Sequence, residues 1–261
     1  MTPPVFELYA IRYATNPART RGHNYILADR PDAVEPMDYF SWLAIGPGGP
    51  VVIDTGLLQA KALARGYTMP HTPMDGLRAL GVDPAAVERV VVTHLHYDHI
   101  GNTEAFPKAR FELQAAEMAH ATGPLMAQPF LRLAYEPEEI ARFVFYLHAG
   151  RLHLHGPEHQ VLPGLTVHWV GGHTAGQEVV RVHTRRGWMV LASDALHYYE
   201  EYERGLPFTV ATDVAAMLLA HGRIRALADS DAHIVPSHDP AVADRFPPAR
   251  ADLAGFVYRL D

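Results

Sequence analysis

The stretch Thr93–Asn102, THLHYDHIGN, places three histidines and one aspartate within six consecutive positions. It follows Val90-Val91-Val92, a β-branched run whose length and composition predict a short buried strand. The motif therefore stands at the carboxyl end of a predicted strand, where α/β proteins commonly place functional loops. Imidazole and carboxylate groups this close in sequence indicate either a polar turn or the first half of a metal site.

Three later predicted strands also end in a side chain that can bind a metal. These side chains are His173 after residues 165–170, Asp194 after residues 188–192 and His238 after residues 233–235. Because strand ends can converge at one edge of a sheet, we expect the donors to form two sets. The sets are His94, His96 and His173 for one ion and Asp98, His99 and His238 for a second, with Asp194 as the bridge.

The donor types predict a catalytic centre. Three neutral imidazoles leave one position open on a tetrahedral zinc ion, which is typical of catalytic and not of structural sites. Nitrogen and oxygen ligands suit two divalent transition-metal ions, for which we expect Zn²⁺, with Fe, Mn or Co as alternatives. Two such ions lower the pKa of a shared water and polarise a substrate carbonyl, so the pattern favours a hydrolase.

The combined pattern resembles the metallo-β-lactamase superfamily. H-x-H-x-D-H follows one strand, and G-H, S-D and S-H follow later strands, over roughly residues 40–240. The resemblance implies an α/β fold, an αββα sandwich with a dinuclear metal site at the strand ends. Asp54-Thr55-Gly56 also matches a recurrent feature of this family. The role of Asp54 stays open between supporting the metal ligands and forming a turn.

Within this superfamily the chain is most similar to the N-acyl homoserine lactonases. It contains no cysteine, which excludes the members that bind their second metal with a thiolate. The resemblance implies that a metal-bridging hydroxide opens a lactone ring and that Asp98 passes a proton to the leaving ring oxygen. His197 stands where these lactonases usually have a tyrosine, and we expect it to contact the substrate carbonyl. Tyr198 or Tyr199 is the alternative for that contact.

Two other functions remain as alternatives. One is another metallohydrolase, either a thioesterase of the glyoxalase II type or a hydrolase of a catabolic lactone or cyclic amide. Residues 241–261 are not distinctly basic, which disfavours the thioesterase. The other alternative is a non-catalytic metal-binding protein, which the complete set of ligands disfavours.

No shift in composition divides the 261 residues, so we expect one domain, 1–261. A helical cap insertion is predicted at about residues 121–160, folding over the strand ends and shaping an apolar pocket. Its apolar residues are Leu125, Met126, Phe130, Leu131, Phe143, Phe145 and Tyr146. The alternative is that these residues complete the core or a dimer contact.

The pair His153 and His155 has the H-x-H spacing but no acidic residue after it. An isolated H-x-H rarely binds a metal. We therefore expect no ligand role for these two histidines.

Charge and hydropathy limit the partners. A formal net charge of −7 without a cluster of Lys and Arg argues against nucleic-acid binding. No apolar run approaches the roughly 20 residues of a membrane helix, and the N-terminal residues lack the pattern of a signal peptide. We expect a cytoplasmic protein that binds a small-molecule substrate, and a homodimer is compatible with the sequence.

Overall fold

Two β-sheets form the centre of the fold in the computed structural model, which describes residues 2–261. The strands of the first sheet are β1 (Glu7–Asn16), β2 (Met37–Gly46), β3 (Gly49–Ile53), β4 (Arg89–Val92), β5 (Arg110–Gln114), β6 (Leu152–His155) and β12 (Val257–Arg259). Those of the second sheet are β7 (Glu158–Leu162), β8 (Leu165–Trp169), β9 (Glu178–Thr184), β10 (Gly187–Ser193) and β11 (Ile234–Pro236). The spatial orders are β12-β1-β2-β3-β4-β5-β6 and β11-β10-β9-β8-β7.

Helices connect and cover these sheets. They are α1 (Arg21–Asn24), α2 (Gln59–Ala64), α3 (Pro73–Ala79), α4 (Tyr97–Ile100), α5 (Ala115–Ala121), α6 (Pro137–His148), α7 (Tyr199–Arg204), α8 (Val214–Leu227) and α9 (Val242–Arg245). Across residues 2–261, none of the helices combines the length and the apolar composition that crossing a bilayer requires.

Both sheets are mixed. In the first, β12, β1, β2 and β3 are antiparallel neighbours, whereas β3, β4, β5 and β6 run parallel. In the second, the antiparallel strands β7 to β10 are followed by a parallel pair of β10 and β11. The strands β2 and β3 form a hairpin and pair around its turn with Gly46 opposite Gly49. The parallel arrangement brings the carboxyl ends of β4, β5 and β6 to one edge.

Packing of the two sheets produces four layers. Leu8, Trp42 and Val91 of the first sheet share one buried apolar cluster with Val180 and Leu191 of the second. On the outer face of the first sheet, side chains of α3, α5 and α6 are buried in a second cluster. On the outer face of the second sheet, α8 packs through another cluster. The predicted αββα sandwich is confirmed.

The segment predicted as a helical cap, at about residues 121–160, contains β-strands in its C-terminal part. Residues 152–155 and 158–162 are not a cap, because they form β6 at the edge of one sheet and β7 at the edge of the other. Helix α6 lies against the first sheet, where Phe143 and Tyr146 pack on Phe111 at ring-centroid distances of 5.8 and 4.8 Å. The strand β6 was not predicted because leucine and histidine alternate in it, and it lacks the continuous apolar run that identifies β4.

Candidate metal centre

The seven predicted ligands all lie beyond strand ends. The segment after β4 carries His94 and His96 and then begins α4, which holds Asp98 and His99. The other three ligands are His173 in the loop between β8 and β9, Asp194 directly after β10 and His238 two residues after β11. Each side chain is nine-tenths or more buried. The fold therefore brings together residues that span 145 positions of the sequence, from 94 to 238.

The first set of donors is His94, His96, His173 and Asp194, whose ligand atoms all lie within 4.8 Å of one another. Nε2 of His173 lies 2.9 Å from Nδ1 of His96 and 3.3 Å from Oδ2 of Asp194. Nε2 of His94 lies 3.8 Å from the same carboxylate oxygen. Three imidazole nitrogens and one carboxylate oxygen are suited to a zinc-like ion.

The second set is Asp98, His99, His238 and again Asp194, within the same limit of 4.8 Å. Oδ1 of Asp194 lies 3.2 Å from Nε2 of His99 and 3.1 Å from Nε2 of His238. Its Oδ2 belongs to the first set, so the two oxygens of one carboxylate face two sets of donors. This shared aspartate makes the buried His/Asp clusters typical of a dinuclear metal centre.

Hydrogen bonds fix which nitrogen of each ring faces the centre. Nδ1 of His173 donates to the carbonyl of Val210 at 2.8 Å, and Nδ1 of His238 donates to the carbonyl of Asp38 at 2.7 Å. Because a carbonyl oxygen only accepts, the proton of each neutral ring stays on Nδ1 and the lone pair stays on Nε2. Such outer hydrogen bonds are the usual means of orienting metal-binding histidines.

The electrostatics of the centre fit a cation. Burial lowers the pKa of His94 and His96 well below the ordinary value, which leaves both rings neutral with free lone pairs. Burial alone would raise the pKa of Asp194, but His238, His99 and His197 hold it well below the ordinary value. Nε2 of His94 and Nε2 of His99 are buried without a hydrogen-bond partner. Buried polar atoms of this kind are costly unless an ion or a water meets them, so the residues fit a pair of metal ions.

Asp54 supports the second set of donors. Its carboxylate accepts from Nδ1 of His99 at 2.7 Å and from the backbone N–H and the hydroxyl of Thr93, both at 2.8 Å. The residue is fully buried and has a φ of 58°, in the left-handed region. The question that the sequence left open is thereby answered, because Asp54 both forms the turn after β3 and orients His99.

A glycine lets the loop that carries His173 come close to α8. Gly172 has a φ of 92°, and an added Cβ would lie 2.4 Å from the backbone N and Cα of Met217. Its carbonyl accepts from the N–H of Thr212 at 2.9 Å. Only glycine tolerates both the backbone conformation and this approach. Gly172 therefore positions His173, a predicted ligand.

His197 lies in the centre, whereas the neighbouring tyrosines do not. Its Nε2 lies 3.2 Å from Oδ2 of Asp194, and its ring stacks on Phe208 with centroids 3.5 Å apart. The hydroxyl of Tyr198 instead donates to the carbonyl of Pro36 at 3.2 Å. Tyr199 is packed beneath the guanidinium of Arg245, 3.4 Å from its ring centroid. The placement favours His197 over both tyrosines for a contact with substrate.

A compact pocket of about 70 Å³ opens above the two sets of donors. Six of the residues singled out from the sequence line it, namely His96, Asp98, His173, Asp194, His197 and His238. The walls that sequence reasoning missed are Arg19, Met37, Tyr39, Tyr97, Ala134, Phe208 and Val210. Tyr97 lies inside the opening motif and could have been found there. The other wall residues come from distant segments whose sequences contain no motif that would indicate a functional site.

The apolar residues predicted to shape the pocket lie elsewhere. Phe143 and Tyr146 belong to the core outside the first sheet. Phe130 and Phe145 are 65% and 73% exposed, and none of the seven predicted residues lines the pocket. Among the described residues of segment 121–160, only Ala134 does so. The prediction was wrong for these side chains, because an apolar residue in sequence does not reveal which face of a helix meets the sheet.

Comparisons with known proteins agree with this arrangement. An N-acyl homoserine lactonase of Bacillus cereus is 23% identical over 175 residues, which cover 61% of this chain and 64% of that protein. The N-acyl homoserine lactonase AttM of Rhizobium radiobacter is 26% identical over 254 residues, covering 90% and 93% of the two chains. A crystal structure of a quorum-quenching N-acyl homoserine lactone lactonase superposes with a TM-score of 0.73 at 21% identity, covering 92% and 94%.

These relatives are distant, and the likeness to the solved structure shows the fold alone. The sequence model of the Metallo-beta-lactamase superfamily matches residues 34–238, which include all seven predicted ligands. With the two sheets, the flanking helices and the shared aspartate, this match shows that the chain belongs to the metallo-β-lactamase superfamily.

Proposed function

We propose that this metal-dependent hydrolase is a lactonase that opens the ring of an N-acyl homoserine lactone or a related small lactone. The observation that carries the proposal is the carboxylate of Asp194, which faces both sets of donors at the base of the compact pocket. The names of the curated relatives, all distant, support the choice of a lactone. Two divalent ions bound at the centre would supply a hydroxide at neutral pH and polarise the substrate carbonyl.

The size of the pocket favours a compact reacting group. Its volume of about 70 Å³ accommodates several water molecules, each of which needs about 10–15 Å³ on this measure. A five-membered ring suits such a space, while an acyl chain would extend beyond it. Tyr39, Tyr97 and Phe208 provide apolar surface around the ring. The walls would thereby orient the ring over the metal ligands and exclude bulk water.

Two side chains are assigned to the reaction. Asp98 lines the pocket, with Oδ2 3.7 Å from Nε2 of His238, and it would pass a proton to the leaving ring oxygen. Its backbone is held by Tyr13, whose hydroxyl donates to the carbonyl of Asp98 at 2.8 Å. Burial lowers the pKa of His197 well below the ordinary value, so its ring is neutral and offers one N–H to the substrate carbonyl.

A substrate panel tests the proposal. Protein loaded with zinc would be assayed with N-acyl homoserine lactones of several chain lengths, an unsubstituted γ-lactone, a glutathione thioester and a β-lactam. We expect kcat/KM for at least one lactone to exceed that for the thioester and the β-lactam by about 100-fold or more, which is about 2.7 kcal/mol in activation free energy. Preference for the thioester or the β-lactam would overturn the proposal and favour another hydrolase of this superfamily.

His197→Ala is expected to lower kcat by about 10–1000-fold, the range for losing one hydrogen-bond donor to a developing oxyanion. Steady-state kinetics on the preferred lactone measure this effect. Tyr198→Phe is the matched control, and it should keep near wild-type kcat because the hydroxyl of Tyr198 bonds to Pro36. Wild-type kinetics in His197→Ala with a large loss in Tyr198→Phe would reverse the assignment. A fall in metal content in His197→Ala would show that the residue supports Asp194.

A further inference from the structure

A third group of metal-binding side chains lies outside the centre described above. Glu112 of β5, His153 of β6 and His159 of β7 place one donor atom each within 4.8 Å of the others. The sequence predicts no ligand role for His153, because no acidic residue follows it. The structure supplies the missing carboxylate from the neighbouring strand, where Glu112 is directly opposite His153 in the parallel register.

The three donors converge on one point between the two sheets. Oε2 of Glu112 lies 2.5 Å from Nδ1 of His153 and 3.5 Å from Nε2 of His159. The rings of His153 and His159 are 4.9 Å apart at their centroids. A tetrahedral ion with bonds of about 2.0–2.1 Å holds its ligands about 3.3 Å apart. Small rotations of these side chains would therefore bring all three donors to one ion.

The three donors are accessible from solvent, and a neighbouring ring holds one of the histidines in place. The two histidine side chains are about 30% exposed, while that of Glu112 is 7% exposed. A surface cavity of about 340 Å³ lies beside Glu112 and His159. The ring of His155 stacks on His159 at 5.0 Å, and its own Nε2 faces Glu178 at 3.5 Å. His155 thus fixes one face of the His159 ring and is not a fourth donor.

The group also has a cationic neighbour. Nε of Arg110 lies 3.4 Å from Oε1 of Glu112. The other oxygen, Oε2, is the one that faces the two histidines. One oxygen of Glu112 thus pairs with the guanidinium, and the other stays directed at the imidazoles. The positive charge of Arg110 lowers the affinity for a cation, but the arginine does not occupy the position of the metal ion.

We propose that Glu112, His153 and His159 bind a third divalent transition-metal ion, separate from the catalytic pair. Two imidazoles and one carboxylate form a ligand set that suits Zn²⁺, Co²⁺ or Ni²⁺, with the remaining positions open to solvent. The ion joins β6, the edge strand of the first sheet, to β7, the edge strand of the second. Its binding stabilises the junction of the sheets, because these ligands are apart in the unfolded chain.

Equilibrium dialysis against zinc, followed by elemental analysis, tests the proposal. Wild-type protein is expected to bind one ion more than His153→Ala and one more than His159→Gln, whatever the occupancy of the catalytic centre. His168→Ala is the matched control, because His168 on the adjacent β8 is half-buried and faces a single carboxylate, that of Glu158 at 3.7 Å. The control should bind as many ions as wild type. Equal metal content in wild type, His153→Ala and His159→Gln would overturn the third site.

Thermal unfolding provides a second readout that does not depend on activity. Zinc added beyond the first two equivalents is expected to raise the Tm of wild type and of His168→Ala by a few degrees. It should leave the Tm of His153→Ala and His159→Gln unchanged. An equal rise in all four proteins would place the stabilising ion elsewhere and contradict the proposal. Because glutamine keeps a polar side chain of similar length at this partly exposed position, His159→Gln should fold even if His153→Ala does not.

Discussion

Replacing Asp194 with alanine is expected to lower kcat/KM by more than about 1000-fold and to reduce the tightly held metal from two ions to one or fewer. Its carboxylate is the one ligand that faces both sets of donors, with contacts of 3.1–3.3 Å to His173, His99 and His238. The loss should exceed that of a single hydrogen-bond donor, because both ions lose a ligand at once. Kinetics and elemental analysis after gel filtration measure the two effects.

Asp38→Ala is the control for this variant. Asp38 is also a buried aspartate close to the centre, but its carboxylate pairs with Arg12 at 3.1 Å and faces neither set of donors. Only its backbone contacts His238, with a carbonyl that accepts from Nδ1 and an N–H that donates to the carbonyl of His238, and the substitution retains both groups. We expect Asp38→Ala to have a lower free energy of unfolding than wild type and to retain both metal ions. Full activity and two retained ions in Asp194→Ala would remove Asp194 from the bridge.

Asp54→Ala is expected to destabilise the protein by roughly 3 kcal/mol and to weaken metal binding by about 10–100-fold. The stability loss arises because the N–H groups of Thr93 and His99 lose a buried acceptor, at a cost of about 1–3 kcal/mol each. The loss of metal affinity arises because His99 is no longer oriented. Denaturant unfolding of metal-free protein and competition with a chelator measure the two effects separately.

Asp54→Asn separates the two roles of this residue. Asparagine tolerates the left-handed backbone at φ 58° and can still accept from the N–H of Thr93. A neutral amide keeps only one acceptor oxygen, so it cannot accept from all three donors, the N–H and hydroxyl of Thr93 and the Nδ1–H of His99, as the carboxylate does. We expect most of the stability to return while metal affinity stays reduced. Wild-type metal affinity in both variants would show that Asp54 only forms the turn.

The grouping of the candidate ligands was predictable because each of them follows a strand within a short motif. His94, His96, Asp98 and His99 are contiguous in sequence, and His173, Asp194 and His238 each stand just beyond an apolar run. Once parallel strands were expected, their carboxyl ends could be assigned to one edge. The αββα layers followed from the family resemblance and not from periodicity, which indicates only mixed α/β structure.

What the sequence did not predict depends on contacts between distant residues. Tyr39 and Phe208 line the pocket from segments that carry no motif. The role proposed for His153 depends on cross-strand pairing with Glu112, 41 positions earlier, and on the return of the chain at His159. The apolar side chains of α6 were assigned to the pocket because their composition is the same whether they face a ligand or the core. The strand register shows which residues lie opposite each other, and the orientation of α6 shows which of its side chains face the core.

Zinc titration of the metal-free protein, with lactone opening followed at each step, tests directly whether the centre is a lactonase site that needs two metal ions. The His153→Ala background would be used so that only the catalytic centre takes up metal. We predict that hydrolysis of an N-acyl homoserine lactone is absent without metal and rises to a plateau at two bound ions per chain. Hydrolysis by the metal-free protein, or no hydrolysis of any lactone with both ions bound, would contradict the proposed metal-dependent lactonase function.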